Sequence, residues 1–204
     1  MNGQIQYGAL QAMTSAATRA ADRASRLAEF RDALNGVGSS PTRATLERLL
    51  LRAHELGLRE DEIGDELDQI RASLAALDLR ASMERGELPV VTSLDSLARG
   101  DSCHFLCPVR FGRRRSDQFG HLMFTGGWLK FRGALDLSVA WSEVASVRRD
   151  GRELIVSLHD SRRVLRFGCH SLAEAATGGV IAEHLARAAH VEAAPSSREF
   201  HASV

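Results

Sequence analysis

The sequence predicts an α+β protein. An N-terminal helical hairpin or three-helix bundle is followed by an antiparallel β-barrel of about seven strands, capped by a C-terminal helix. Three observations predict it. Apolar residues recur at three- and four-residue steps as far as residue 85, the repeat shortens towards two after Gly100, and an amphipathic stretch with its own start signal follows the last strand. The organisation read from this is a helical domain over 1–85, a linker over 86–100, a barrel with its helix over 101–190 and a flexible tail over 191–204.

The first helix is marked by Leu10, Met13, Ala17, Ala20, Ala24, Leu27 and Leu34, a stripe made thin by its alanines. Asn35-Gly36-Val37-Gly38 stops it. Ser40-Pro41 reads as the next start, with Ser40 at the N-cap and Pro41 in the first turn. Leu46, Leu49, Leu50, Ala53 and Leu56 follow, and Gly57 ends that helix. The third opens on Glu60, Asp61 and Glu62, which suit the positive end of a helix dipole. It carries the most regular stripe in the chain: Ile63, Leu67, Ile70, Leu74, Leu77, Ala81. Three such stripes facing one another make a bundle core, or a dimer if the thin first stripe is completed by a second chain. Pro89, after Gly86, closes the third helix.

Alternation begins with Cys103, Phe105, Cys107, Val109 and Phe111, a half-buried strand that Pro108 places at a sheet edge. Two runs flanking Gly126-Gly127 form a hairpin. Leu135, Leu137, Val139 and Trp141 alternate next, then a short strand from Glu143 to Arg148. Asp150-Gly151 is a two-residue hairpin turn, and strands through Leu154–Leu158 and Val164–Phe167 follow. Ser171-Leu172-Ala173-Glu174 is a capping box that starts a helix reaching about His190.

Composition narrows the function. With 26 basic and 26 acidic residues the net charge is zero, so no dedicated nucleic-acid binder is indicated. Neither half is strongly charged, and any electrostatic function must sit in a local patch. Only Lys130 is a lysine; the other basic residues are arginines. Cys103, Cys107 and Cys169 are too few for a disulfide scaffold, and no segment has the run of about 18 apolar residues that spans a bilayer. The expected compartment is the cytoplasm, with peripheral membrane contact as the variant. Cys103-His104 and Cys169-His170 invite a metal reading. However, Cys103 and Cys107 stand about 13 Å apart on a strand at ~3.3 Å per residue, too far to share one zinc. No metal or cofactor is expected. No nucleophile elbow, phosphate loop or paired-acid motif accompanies the eight histidines.

Gly120-His121-Leu122-Met123-Phe124-Thr125, Trp128-Leu129-Lys130-Phe131 and Leu137 to Val147 with Trp141 at the corner resemble the PH-like and GRAM-like domains of bacteria. The resemblance covers roughly 101–190, and residues 1–85 resemble no family that we recognise. It implies a non-catalytic module that binds a lipid headgroup, a peptide or another subunit. Phosphoinositide-binding members of eukaryotes carry basic residues in the loop between the first two strands. Arg113, Arg114 and Arg115 fall in the matching loop, with Arg110 just before it, while Phe119-Gly120-His121 stands where those members alternate basic residues. Near an anionic surface each such arginine contributes ~1 kcal/mol, giving weak, salt-sensitive binding.

The sequence therefore points first to an adaptor that engages a protein partner or self-associates. Second comes a peripheral binder of anionic membranes acting through Arg110, Arg113, Arg114 and Arg115. An enzyme of unrecognised type comes third.

Overall fold

The computed structural model describes residues 3–38, 41–92, 100–112, 118–159 and 163–193, with side chains from 16 to 192. It divides into two compact units, residues 1–70 and 71–204.

The first unit holds α1 (Gly3–Asn35), α2 (Arg43–Glu55) and the opening turns of α3 (Glu60–Glu84). Among the described side chains of α1 the buried anchor is Phe30. Ala17, Ala20 and Ala24 of the expected stripe are exposed, and Leu27 and Leu34 are half-buried. Helix α2 begins two residues later than Ser40-Pro41 suggests. Thr42 is its N-cap, its hydroxyl accepting the Thr45 N–H, and Ser40 lies outside the described residues. The Thr42 hydroxyl thereby satisfies one of the orphan N–H donors of the first turn. Leu46, Leu49 and Ala53 are the buried face. Gly57 ends α2 at a positive φ of 63°. Its N–H donates to His54 O and the Leu58 N–H to Ala53 O, the paired bonds of a Schellman close. Ion pairs tie α1 to its neighbours: Arg23 to Glu62, Arg31 to Glu66 at 2.7 Å and Arg52 to Glu29. Glu62 also accepts the Arg59 N–H, which with Arg23 and Arg59 holds its carboxyl below the usual range. The acidic run at the head of α3 is thus partly consumed in pairing rather than purely solvated.

Along α3 the buried face changes. Ile63 and Ile70 are buried as the stripe requires, but beyond them the buried positions are Ala72 and Met83, with Leu74 and Leu77 half-buried and Ala81 exposed. Ala76, Leu79 and Met83 pack on the core of the second unit. The turns after Ile70 therefore belong with that unit, whereas the sequence places the boundary after residue 85. Gly86 closes α3 as Gly57 closes α2, with Gly86 N–H on Met83 O and Glu87 N–H on Ser82 O. The start of the linker lies on the sheet. Leu88 is packed on the core, His104 Nδ1 donates to Pro89 O at 2.8 Å and the Val91 N–H donates to Cys103 O at 2.7 Å.

The second unit has the PH-like architecture. Seven strands follow in chain order: β1 (Cys103–Phe111), β2 (Gln118–Thr125), β3 (Trp128–Gly133), β4 (Leu137–Ala140), β5 (Val144–Asp150), β6 (Glu153–Leu158) and β7 (Val164–Cys169). Their order in one antiparallel sheet is β4-β3-β2-β1-β7-β6-β5. A helical turn, Trp141–Glu143, joins the two outermost strands, and α4 (Leu172–Ala193) completes the unit. The β1 strand is central, not at an edge. Pro108 is tolerated there because β7 pairs with β1 only from Val109 to Phe111, leaving the proline flanked by β2 alone.

Inward residues of every strand meet in one core: Phe105, Leu122, Phe124, Phe131, Val139, Val144, Leu154, Val156 and Phe167 among them. Trp141 fills the corner, its indole N–H donating to Thr125 O at 2.8 Å and its ring standing edge-on to Phe124. The α4 capping box forms as the sequence indicates. Glu174 N–H donates to Ser171 Oγ and Ser171 N–H to a Glu174 carboxylate oxygen. From there Ala175, Val180, Ile181, Ala182, Leu185 and Ala186 enter the core. Gly178 lets the helix come close: a Cβ there would lie 2.8 Å from Phe105 Cζ and 2.9 Å from a Leu154 methyl.

Candidate binding groove

The end of β1 leads to a surface groove of about 700 Å3. Its walls come from four places in the chain. The strand β1 supplies Pro108 and Arg110, the start of β2 supplies Phe119 and His121, the β5–β6 turn supplies Arg152 with Glu153, and the end of β7 leads into His170.

Register puts these side chains together. Arg110 is paired with Phe119 on one flank and with Gly168 on the other, and Pro108 is paired with His121. Alternation sends Val109 inward, so its neighbours Pro108 and Arg110 face out. Gly168 faces the arginine across the ladder: a Cβ at that position would make ordinary contact with Arg110 Nε at 3.5 Å. The turn that carries Arg152 is tied to β7 by the Cys169 N–H, which donates to Arg152 O at 2.9 Å. Glu153 is engaged by Arg166 at 3.1 Å, so the acidic wall of the groove is neutralised from the side.

Phe119 stands out because it is 78% exposed, the most exposed large apolar side chain among the described residues. Its placement follows from two glycines. Gly120 and Gly133 are partners across β2 and β3, and Phe131 lays its ring against both. A Cβ on Gly120 would be 2.2 Å from Arg132 O, and one on Gly133 would be 2.8 Å from Phe119 O. Glycine is therefore required at both, and the inward space that a side chain would take is filled by Phe131, an arrangement in which an aromatic ring covers a glycine. Phe119 is left on the outer face beside Arg110.

Of the arginines read from the sequence, Arg110 lines this groove; Arg113, Arg114 and Arg115 lie outside the described residues. The sequence reading did not single out Phe119, His121, Arg152 or His170 as site residues. Phe119 and His121 were visible as neighbours of the basic loop, but Arg152 and His170 reach the groove only through the β1–β7 and β6–β7 pairings. A groove holding two guanidiniums, two imidazoles and an exposed phenyl ring suits an anionic ligand with an apolar part.

The three cysteines are buried free thiols. Cys107 and Cys169 share the inward face of neighbouring strands, and the hydrogen bond between their thiols together with burial pushes the Cys107 thiol far up, which makes it inert as a nucleophile. Among the described residues no group of three or more His, Cys, Asp or Glu could enclose a metal ion, and no helix is long and apolar enough to cross a membrane.

No family model matches the chain, and no curated protein matches it. Solved structures that match include the C-terminal domain of an unknown protein from Leishmania infantum, at 16% identity and TM-score 0.33, covering 48% of this chain and 87% of that one. Also similar are the linker-DH/PH domains of p115-RhoGEF, at 14% identity and TM-score 0.39, covering 80% of this chain and 54% of that one. The DH/PH fragment of PDZRHOGEF crystallised with human RhoA matches at 9% identity and TM-score 0.39. The chain spans about half the length of these last two.

Proposed function

We propose that this chain is a non-catalytic adaptor whose PH-like unit docks a protein partner in the groove around Phe119 and Arg110. The observation that supports this is the pairing of a largely exposed phenyl ring with an arginine over a concave surface. Aromatic residues and arginine are the side chains that dominate binding energy in protein interfaces. The chemistry asks for an acidic segment that also carries an apolar side chain. The test compares proteins retained from a lysate by the wild type and by a Phe119→Ser, Arg110→Ala variant, with sedimentation of the purified chain run over a range of concentrations. A partner lost with the double substitution, or a mass that falls in parallel with it, is the expected result. An identical retained set and an unchanged mass would remove the groove from the function.

A second reading is peripheral contact with anionic lipids. It is favoured by the position of Arg110 near the end of β1, three to five residues before Arg113, Arg114 and Arg115 in the sequence. Co-sedimentation with anionic and neutral vesicles at low and high salt decides it. Binding only to anionic vesicles, abolished by salt or by changing the three loop arginines to alanine, would establish this reading, and no pelleting would end it.

A further inference from the structure

At the opposite end of β6 from the groove, the chain brings two histidines together that no motif connects. His159 follows directly on β6, and its backbone N–H is anchored on Glu143 O at 3.0 Å. His190 lies in the last turn of α4, between Ala186 and Ala189 on one side, which pack on the core, and the helix end at Ala193. Their Nε2 atoms are 3.3 Å apart, while the ring centroids are 5.2 Å apart and the rings are tilted by 55°. The nitrogens are nearer than the ring centres, so the two rings converge through their Nε2 corners.

At that distance the two rings share a hydrogen bond, and the same spacing also suits a shared metal ion. Two imidazole nitrogens bound to one tetrahedral zinc at ~2.05 Å are separated by about 3.3 Å, the chord of a tetrahedral angle. We infer that His159 and His190 form an open, two-imidazole site for a divalent cation of the zinc class, with the remaining positions held by water. Three further features agree. His159 is exposed and His190 is half-buried, so neither imidazole is closed off from solvent. Both are carried on fixed backbone, one by the strand ladder and one by a helix packed on the core, so little ordering is needed on binding. The site sits at the C-terminal end of α4, where the helix dipole favours positive charge. The bound ion would staple the end of α4 to the end of β6 across 31 residues of chain. Because it binds the folded state alone, it would stabilise that state in proportion to its concentration over its dissociation constant.

The experiment uses the full chain, freed of metal by a chelator and titrated calorimetrically with zinc chloride. Melting is followed in parallel with and without zinc. Variants are His159→Gln, His190→Gln and, as a control on the same helix, His184→Gln. The expected result is a single zinc per wild-type chain, a melting temperature that rises with zinc, and affinity that falls by about tenfold or more in each of the first two variants. The His184→Gln chain should bind as the wild type does. None of the three histidines is buried, and the tryptophan emission of each variant checks that the fold is intact. If wild type takes up no zinc, if either of the first two variants binds as tightly as wild type, or if His184→Gln abolishes uptake, the inference is wrong.

Discussion

Two adjacent glycines in α4 should respond differently to the same substitution. Replacing glycine by alanine inside a helix stabilises by about 1 kcal/mol, because the backbone of the unfolded chain is restricted and the helical one is favoured. That gain applies equally to Gly178 and Gly179. What differs is the space. A Cβ on Gly179 meets a Leu154 methyl at 3.5 Å, an ordinary contact. A Cβ on Gly178 would stand 2.8 and 3.0 Å from the Phe105 ring and 2.9 Å from Leu154. Neither neighbour can step aside: Leu154 is fully buried, and Phe105 is stacked on Phe124 with ring centres 4.9 Å apart. Overpacking of that kind costs about 1–3 kcal/mol. Gly179→Ala should therefore stabilise by about 1 kcal/mol, and Gly178→Ala should be neutral to destabilising by about 2 kcal/mol. Because the propensity gain is common to both, their difference isolates the overpacking. Urea unfolding followed by tryptophan emission suits the measurement, since Trp128 and Trp141 both lie in the sheet unit. A Gly178→Ala midpoint equal to or above that of Gly179→Ala, at equal slopes, would refute the close approach of α4 to β1 and β6.

Two further outcomes follow from the buried and charged contacts. Trp141→Phe removes the indole N–H from Thr125 O inside the core and should cost about 1–3 kcal/mol, read by the same unfolding with Trp128 as the remaining reporter; a change within experimental error would mean that the hydrogen bond contributes nothing. Glu62 has a lowered pKa, set first by the Arg59 N–H and then by Arg23, so its contribution to stability is present above its ordinary pKa and is lost as pH falls through the lowered one. The helical signal of wild type should thus lose stability on acidification more steeply than that of Glu62→Gln, and parallel pH profiles would sink this account.

The parts of the fold that were legible in the sequence are those governed by local chemistry. Ser171 and Glu174 specify a capping box within four residues, and Gly57, Gly86 and Gly151 occupy positive-φ positions that few other residues adopt. The strand periods read true because alternation is a local consequence of a half-buried sheet. Pro108 misled for the opposite reason. A missing N–H says only that one flank is unpaired, and here that flank lies on the central strand just before β7 arrives. The even stripe on α3 likewise concealed a change of face after Ile70, because a repeating apolar pattern does not say what each turn packs against. The groove was half legible. Arg110 stood out beside three other arginines, but Arg152 and His170 reach it through pairings of strands far apart in the chain. The approach of His159 to His190, and of Cys107 to Cys169, is of the same tertiary kind.

The pairing of Val109 with Cys169 also bears on how the molecule is made. The ladder between β1 and β7 joins residues 56 to 60 positions apart, and it is what merges the β1–β4 and β5–β7 ribbons into a single sheet. Hairpins such as β2–β3 and β5–β6 can form as soon as their turns emerge, within microseconds. The long closure must wait, and its loop entropy is spent before any contact rewards it. During synthesis β1 leaves the ribosome first among the strands yet gains its second neighbour last. The slow step of assembly should therefore be the joining of the two ribbons, with α4 locking over the core only after that seam has formed.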